Sequence, residues 1–265
     1  MPSDAAPLRA DFTLPPLPPG ARRILIFVAM EAEAEPIARA LGLAPDRLPI
    51  GSAGVRSGRV GSAASSLEVS LLSPGICAET GVDRIGPVHA AATLARALER
   101  IPCDIVVNAG TAGGFESQGQ RIADLVVARD TMFHDARIAL GGFDAVARAH
   151  TRLSADDAML ARLSAALDAR AGLVSTGASL DATADELALF ARHGALAKEM
   201  ELAALGVVCR EHRRPLVALK GITDLVDHHE PTHEAFVRNL ARTSARVAEA
   251  IGPLLDELVN DQTRD

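Results

Sequence analysis

The chain has 265 residues, 48% of them hydrophobic, a formal net charge of −7 at pH 7, and only 3% aromatics with neither Trp nor Tyr. That apolar share is ample for one sizeable core, while scattered positive residues on an anionic chain give no footing for nucleic acid or acidic membranes. No apolar run approaches the roughly 18 to 20 residues of a membrane helix.

Residues 1–22 end in Leu14-Pro15-Pro16-Leu17-Pro18-Pro19-Gly20 and lack the charged-then-apolar order of a secretory signal, so they read as a flexible or extended tail. A first strand is predicted from Arg23 to Ala29, and a helix from Glu31 to Leu41, with Glu early and apolar residues at helical spacing. Residues 49–73, rich in Gly and Ser around Val55, Val60 and Leu67 to Leu72, suggest hairpin-like strands. A helix over Val88 to Leu98 follows, then a buried strand from Cys103 to Asn108 running into a small-residue loop, Ala109 to Phe115. Ile122 to Ala128 reads as a strand, the stretch through Gly141-Gly142 as a loop, and Asp156 to Leu167 as an amphipathic helix with Met159, Leu160, Leu163 and Leu167 near one face. A short strand at Leu173 to Thr176, helices at Ala184 to Arg192 and Met200 to Glu211, a strand at Pro215 to Lys220 and a helix at Thr232 to Leu258 complete the pattern. Alternating strands and helices imply a largely parallel sheet covered by helices, in a single domain over 23–258 with a tail over 259–265.

Cys77, Cys103 and Cys209 are odd in number and lack C-x-x-C spacing, which indicates neither a disulfide framework nor a zinc knuckle but the reduced thiols of a cytoplasmic protein. His229-Glu230-Pro231-Thr232-His233 satisfies H-E-x-x-H, yet Pro231 suits only a first helical turn. His229 then falls outside the helix, and zinc is disfavoured.

Carboxylates recur where strands end. Glu31, Glu33 and Glu35 open a helix, and at about 100° per residue positions two apart diverge by about 200°, so they do not all face one pocket. The others complement the helix dipole. The same geometry separates Glu199 from Glu201. Asp224 follows the apolar strand and Asp227 comes three residues later, where a cap or an Asx turn is the plainer account. Lys220 is either a carboxylate partner or a snorkelling side chain. The run Asn108 to Phe115 lets backbone N–H groups approach a ligand and adds the Thr111 hydroxyl, although a tight turn without a ligand needs similar residues and the run matches neither G-x-G-x-x-G nor a P-loop.

Together and in order, these segments resemble the nucleoside phosphorylase superfamily, and within it the 5′-methylthioadenosine/S-adenosylhomocysteine nucleosidases. Ala29-Met30-Glu31-Ala32-Glu33 is similar to their A-M-x-x-E opening, Asn108 to Phe115 to their N-x-G-[ST]-x-G-G turn, Glu199-Met200-Glu201 to E/D-M-E, and Thr223-Asp224 to the closing S/T-D. Lys220, Phe133-His134-Asp135-Ala136-Arg137-Ile138 and Asp224-Leu225-Val226-Asp227 followed by Pro231-Thr232 resemble the plant-like branch. Departures are Ala178, where the family usually has Asp, and Leu180, where the purine site often has Phe.

The resemblance implies a three-layer α/β fold with a mixed central sheet flanked by helices, no cofactor and no metal, and a homodimer whose partner closes the 5′ side of the pocket. It implies hydrolysis of the N-glycosidic bond of 5′-methylthioadenosine, in methionine salvage, and leaves open whether S-adenosylhomocysteine is also a substrate. Asp224 would be the general acid toward the purine, Glu33 the base for water and Glu201 the holder of the ribose hydroxyls. Met200 would pack on the sugar, with Thr111, Leu180, Lys198 and Glu199 lining the site. Phosphorylases of the superfamily hold phosphate with Arg residues at the first strand's end, where this chain places Glu33. Competing expectations are a phosphorylase, a nucleosidase for another purine nucleoside, and a non-catalytic nucleoside-binding or storage protein; retention of Glu33, Glu201 and Asp224 together argues against the last.

Overall fold

Strands buried on both faces need apolar residues at every position, and the central strands of this chain have them. The computed structural model describes residues 11–61 and 66–260. In β2 (Arg23–Phe27), Ile24 and Ile26 enter one core cluster while Leu25 and Phe27 enter another on the opposite face. In β11 (Leu216–Leu225), Val217 and Leu219 likewise oppose Leu216 and Ala218. One cluster is completed by α1 (Glu31–Leu41), α4 (Asp157–Leu167) and α7 (Thr232–Asn260); the other by α2 (Pro87–Leu98) and α6 (Leu202–Glu211). The result is three layers, helices on both sides of a mixed sheet.

Among the described residues the sheet holds eleven strands. On its outer side β3 (Ala44–Asp46), β4 (Gly54–Val60) and β5 (Leu67–Ser73) form antiparallel ribbons, and β5 joins β2 in parallel. The long strand β6 (Ile105–Gly114) pairs with three neighbours: its first half with β2, its last two residues with β10 (Ala195–Glu199), and its other edge with β11. Because β11 also pairs with β7 (Leu125–Phe133), β7 with β9 (Ala169–Thr176), and β9 with β10, these five strands close on one another in a ring. A mixed sheet was expected; its closure was not.

Local signals place several boundaries. Gly42, at φ 66°, ends α1 by donating its N–H back to Ala38 and Arg39. Asp156 caps α4 through Met159 N at 2.8 Å, and Thr183 and Glu186 form a capping box on α5 (Ala184–His193).

Other boundaries differ from expectation. The segment taken for a tail contributes β1 (Phe12–Thr13), paired in parallel with β8 (Thr151–Arg152), and buries Leu14 and Ala21. Residues 1–10 and 261–265, the outer parts of the two expected tails, lie outside the described residues. Ala109 to Gly114 is strand rather than loop, since continuous pairing with β11, joined by β10 at Gly113 and Gly114, outweighs the poor strand propensity of Gly. The strand expected at Ile122 to Ala128 runs from Leu125 to Phe133, with a register shift between Ala128 and Asp130 that accommodates its polar interruption. Part of the loop through Gly141-Gly142 becomes the short helix α3 (Phe143–Ala147). Glu199 does not open a helix but ends β10; α6 begins at Leu202.

Candidate active site

A cavity of about 160 Å³ opens where β6, β10, β11 and the start of α1 meet. It is lined by Met30, Glu33, Ile85, Thr111, Gly113, Ser179, Leu180, Lys198, Glu199, Met200, Glu201, Thr223, Asp224 and Phe236, among others. Glu33, Thr111, Leu180, Lys198, Glu199, Met200, Glu201 and Asp224, the residues to which the resemblance gives roles, all line it.

Glu33 sits in the first turn of α1, directed inward with 3% exposure. Its Oε1 accepts hydrogen bonds from Thr111 N and Thr111 Oγ1, both at 2.7 Å, and its Oε2 accepts from Met30 N at 3.2 Å. Burial raises its pKa, against the opposing pull of those bonds and of the Lys220 charge. Thr111 therefore acts first as the holder of Glu33. Glu31 and Glu35 turn outward to Arg56, with Glu35 also meeting Arg39.

Glu201 lies in the turn between β10 and α6, where its Oε1 accepts from Gly86 N at 2.7 Å. Burial, followed by the Glu199 charge, pushes its pKa up to about 7. Glu199 lines the cavity, but its carboxylate is engaged elsewhere: Thr176 Oγ1 at 2.5 Å, Lys220 Nζ at 2.9 Å, Glu201 N at 3.0 Å and Leu202 N at 2.9 Å. Lys220 does not snorkel; it is fully buried against Glu199. Burial alone would depress it, and the carboxylates of Glu199, Glu201 and Glu33 outweigh that and raise it.

Asp224 owes its placement to an irregularity. Neighbours in a regular strand point to opposite faces, yet Thr223 Oγ1 donates to Asp224 Oδ1 at 2.8 Å and both line the cavity. The register slips between Ile222 and Asp224, where Ile222 faces Ala112 and Asp224 faces Gly113, so Thr223 is the extra residue of a bulge. Asp224 Oδ2 is buried with no hydrogen-bond partner among the described residues. Burial raises its pKa, opposed by Thr223 and by the Lys198 charge. A side chain at Gly113 would stand 2.7 Å from Oδ2, so the bare backbone of β6 is what admits the carboxylate.

Lys198 reaches the cavity wall from β10, and its ammonium donates to the carbonyls of Ser179, Leu180 and Asp181. Leu180 is 42% exposed at the mouth. Where Ala178 replaces an expected Asp, its N–H is taken by Asp135 Oδ2 at 2.8 Å. Asp227 caps the turn at Glu116–Gln118 by accepting from Glu116 N and Ser117 N. His229 and Glu230 precede α7, so the H-E-x-x-H residues share no helical face.

Residues 23–256 match the family described as the phosphorylase superfamily. The chain belongs to that superfamily. Among its relatives, 5′-methylthioadenosine nucleosidase of Arabidopsis thaliana is 33% identical over 84% of this chain and 82% of its own length. A 5′-methylthioadenosine/S-adenosylhomocysteine nucleosidase of the same plant is 31% identical over 88% and 90%. The solved apo structure of Arabidopsis thaliana 5′-methylthioadenosine nucleosidase superimposes with a TM-score of 0.83 at 30% identity, covering 92% of this chain and 98% of that one.

The superfamily motifs marked Glu33, Glu201 and Asp224, but gave no sign of Ile85, Gly86 and Phe236. Gly86 precedes Pro87, a Gly-Pro pair that signals a turn into a helix. Nothing in the sequence connects it to Glu201, 115 positions away.

Proposed function

We propose that this chain hydrolyses the N-glycosidic bond of 5′-methylthioadenosine, releasing adenine and methylthioribose. The observation that carries the reading is the lining of the cavity: the Glu33 and Glu201 carboxyl groups face it, while Lys198, the only cation lining it among the described residues, has its three donors occupied by backbone carbonyls. Such a site repels phosphate and favours water as nucleophile. Arg56, nearby on β4, is held by Glu31 and Glu35.

In this reading Asp224, whose burial favours the protonated form, gives its proton to the leaving purine as the bond to C1′ breaks. Positive charge grows on the ribose in the oxocarbenium-like state, and the Glu33 and Glu201 carboxylates stabilise it. Glu33 takes a proton from the attacking water, whose oxygen bonds to C1′. Glu201 accepts hydrogen bonds from the ribose hydroxyls. The apolar Met30, Ile85, Met200 and Phe236 suit a methylthio group, and the relatives' names support the same substrate, with S-adenosylhomocysteine as a second one. The purine is bound without an aromatic base stack, against Leu180.

We also assign the chain to a cytoplasmic homodimer serving methionine salvage. Free Cys77, Cys103 and Cys209 suit a reducing compartment, and no helix among the described residues is long and apolar enough to cross a membrane. The exposure of Val82 and Val88, 62% and 77%, close in sequence to the cavity-lining Ile85, supports the packing of a second copy beside the cavity.

Incubation with 5′-methylthioadenosine in phosphate-free buffer is expected to release adenine and methylthioribose, resolved by chromatography and mass spectrometry. Strict dependence on added phosphate, with a ribose 1-phosphate product, would refute hydrolysis.

A further inference from the structure

Resting on the assignment of a purine nucleoside to this cavity, we propose that Lys198 is a positioning residue, one that pins the loop 177–181 from beneath and so sets affinity for the base rather than the rate of bond cleavage. A lysine ammonium has three donors and no acceptor. Here the three reach Ser179 O at 2.6 Å, Leu180 O at 2.9 Å and Asp181 O at 2.7 Å, so none is left for a ligand. Lys198 is itself 3% exposed and fixed in β10 between Gly113 of β6 and Ser175 of β9.

The loop it holds is an outer one: residues 178–181 are exposed, yet Ser179 and Leu180 form the cavity wall. Three consecutive carbonyls turned inward onto one buried ammonium are not the arrangement water would impose on such a loop, where each would be solvated separately. Two further ties act at its start. Ala178 N donates to Asp135 Oδ2, and Gly177 N donates to Glu199 O at 3.1 Å. Gly177 also lies directly over His134: a Cβ there would stand 2.1 Å from His134 Nε2, so the bare backbone is what lets the start of the loop pack on the ring. The wall is thereby ordered before substrate arrives, which removes a cost otherwise charged to binding.

The test compares the wild type with Lys198→Met, which keeps the length of the side chain and removes the donors. In the unliganded protein, amide hydrogen exchange over residues 177–183 is expected to accelerate by at least about tenfold while the strands keep their protection. The Kd for free adenine by calorimetry and the KM for 5′-methylthioadenosine are expected to rise by at least about tenfold, with kcat within about threefold of wild type. Unchanged exchange and unchanged KM would overturn the proposal, and so would a fall in kcat at constant KM, which would make Lys198 a catalytic group. Should Lys198→Met fail to fold, Asp135→Ala cuts the second tether at a partly exposed position, and the same split between KM and kcat is expected; an unaltered KM there overturns it. Exchange and adenine binding need no turnover. A wild type that does not cleave 5′-methylthioadenosine but loosens its loop on substitution sinks the assigned reaction and supports the clamp, while the converse sinks the clamp alone.

Discussion

Replacing Lys220 with Met removes the one fully buried cation from a cluster that also contains Glu33, Glu199 and Glu201. Methionine retains most of the packing, so the effect is electrostatic. Breaking a buried ion pair by deleting one partner costs about 3–5 kcal/mol. Glu199 keeps its bonds from Thr176 Oγ1, Glu201 N and Leu202 N, which places the expected loss near the lower figure, about 3 kcal/mol. At this chain length that is a fall in Tm of roughly 6–12 °C.

The loss depends on pH, and its sign follows from the carboxyl groups. The Lys220 charge opposes the upward shifts of Glu33 and Glu201, so without it both folded pKa values climb further. A carboxyl group raised on folding contributes stability that is fully present below its unfolded value, 4.5 for Glu201, and that is lost as pH rises through the folded value, about 7 in the intact protein. The deficit of the variant is therefore expected to be largest at about pH 8 and to shrink toward about pH 5. Urea unfolding at the two pH values measures it. Adding Glu199→Gln is expected to return at least about half of the loss, since the orphaned charge is then gone. A deficit below about 1 kcal/mol at the higher pH, or one equal at both, would refute the account of a cluster balanced by Lys220.

Two other substitutions address the chemistry directly. Asp224→Asn is expected to lower kcat by about 10²–10⁴-fold while adenine binding persists; steady-state turnover with calorimetry checks it, and an active variant would remove the general acid. Gly113→Ala drives a methyl group to 2.5 Å from Val226 Cγ2 and 2.7 Å from Asp224 Oδ2. It is expected to destabilise by about 1–3 kcal/mol and to depress kcat beyond what the lost stability explains, whereas wild-type turnover would show that the acid tolerates displacement.

The central strands were legible because strands covered on both faces are continuously apolar, and Ile24 to Phe27 and Leu216 to Leu219 read that way directly. Glu33, Glu201 and Asp224 were found through the superfamily motifs, since their positions alone fit helix caps and turns as well. β10 was missed for the opposite reason. Ala195 to Glu199 is short and ends in Lys and Glu, and only tertiary burial, with the Lys198 and Lys220 contacts, makes it a strand interior. The last residues of β6 and β11 were misread because Gly and Thr there are local loop signals, overruled by the pairing of the two strands with each other. The bulge at Thr223 leaves no trace in composition, although the direction of Asp224 depends on it. Nor does any local pattern reveal Asp83, whose Oδ1 accepts from Glu31 N at 3.0 Å and ties the segment before Gly86 to the start of α1.

The three-way pairing of β6 bears on how such a protein diversifies. Residues 110–114 touch the surroundings of Glu33 and Asp224 while belonging to the hydrogen-bond ladders of β10 and β11. A substitution there reaches the strand pairing and the proposed acid and base at once. Leu180 and its loop lie outside that lattice, attached beyond Gly177 through the Asp135 and Lys198 side chains. Selection for a different base or a longer 5′ substituent therefore has its freedom in the loops, with the reaction held constant beneath them.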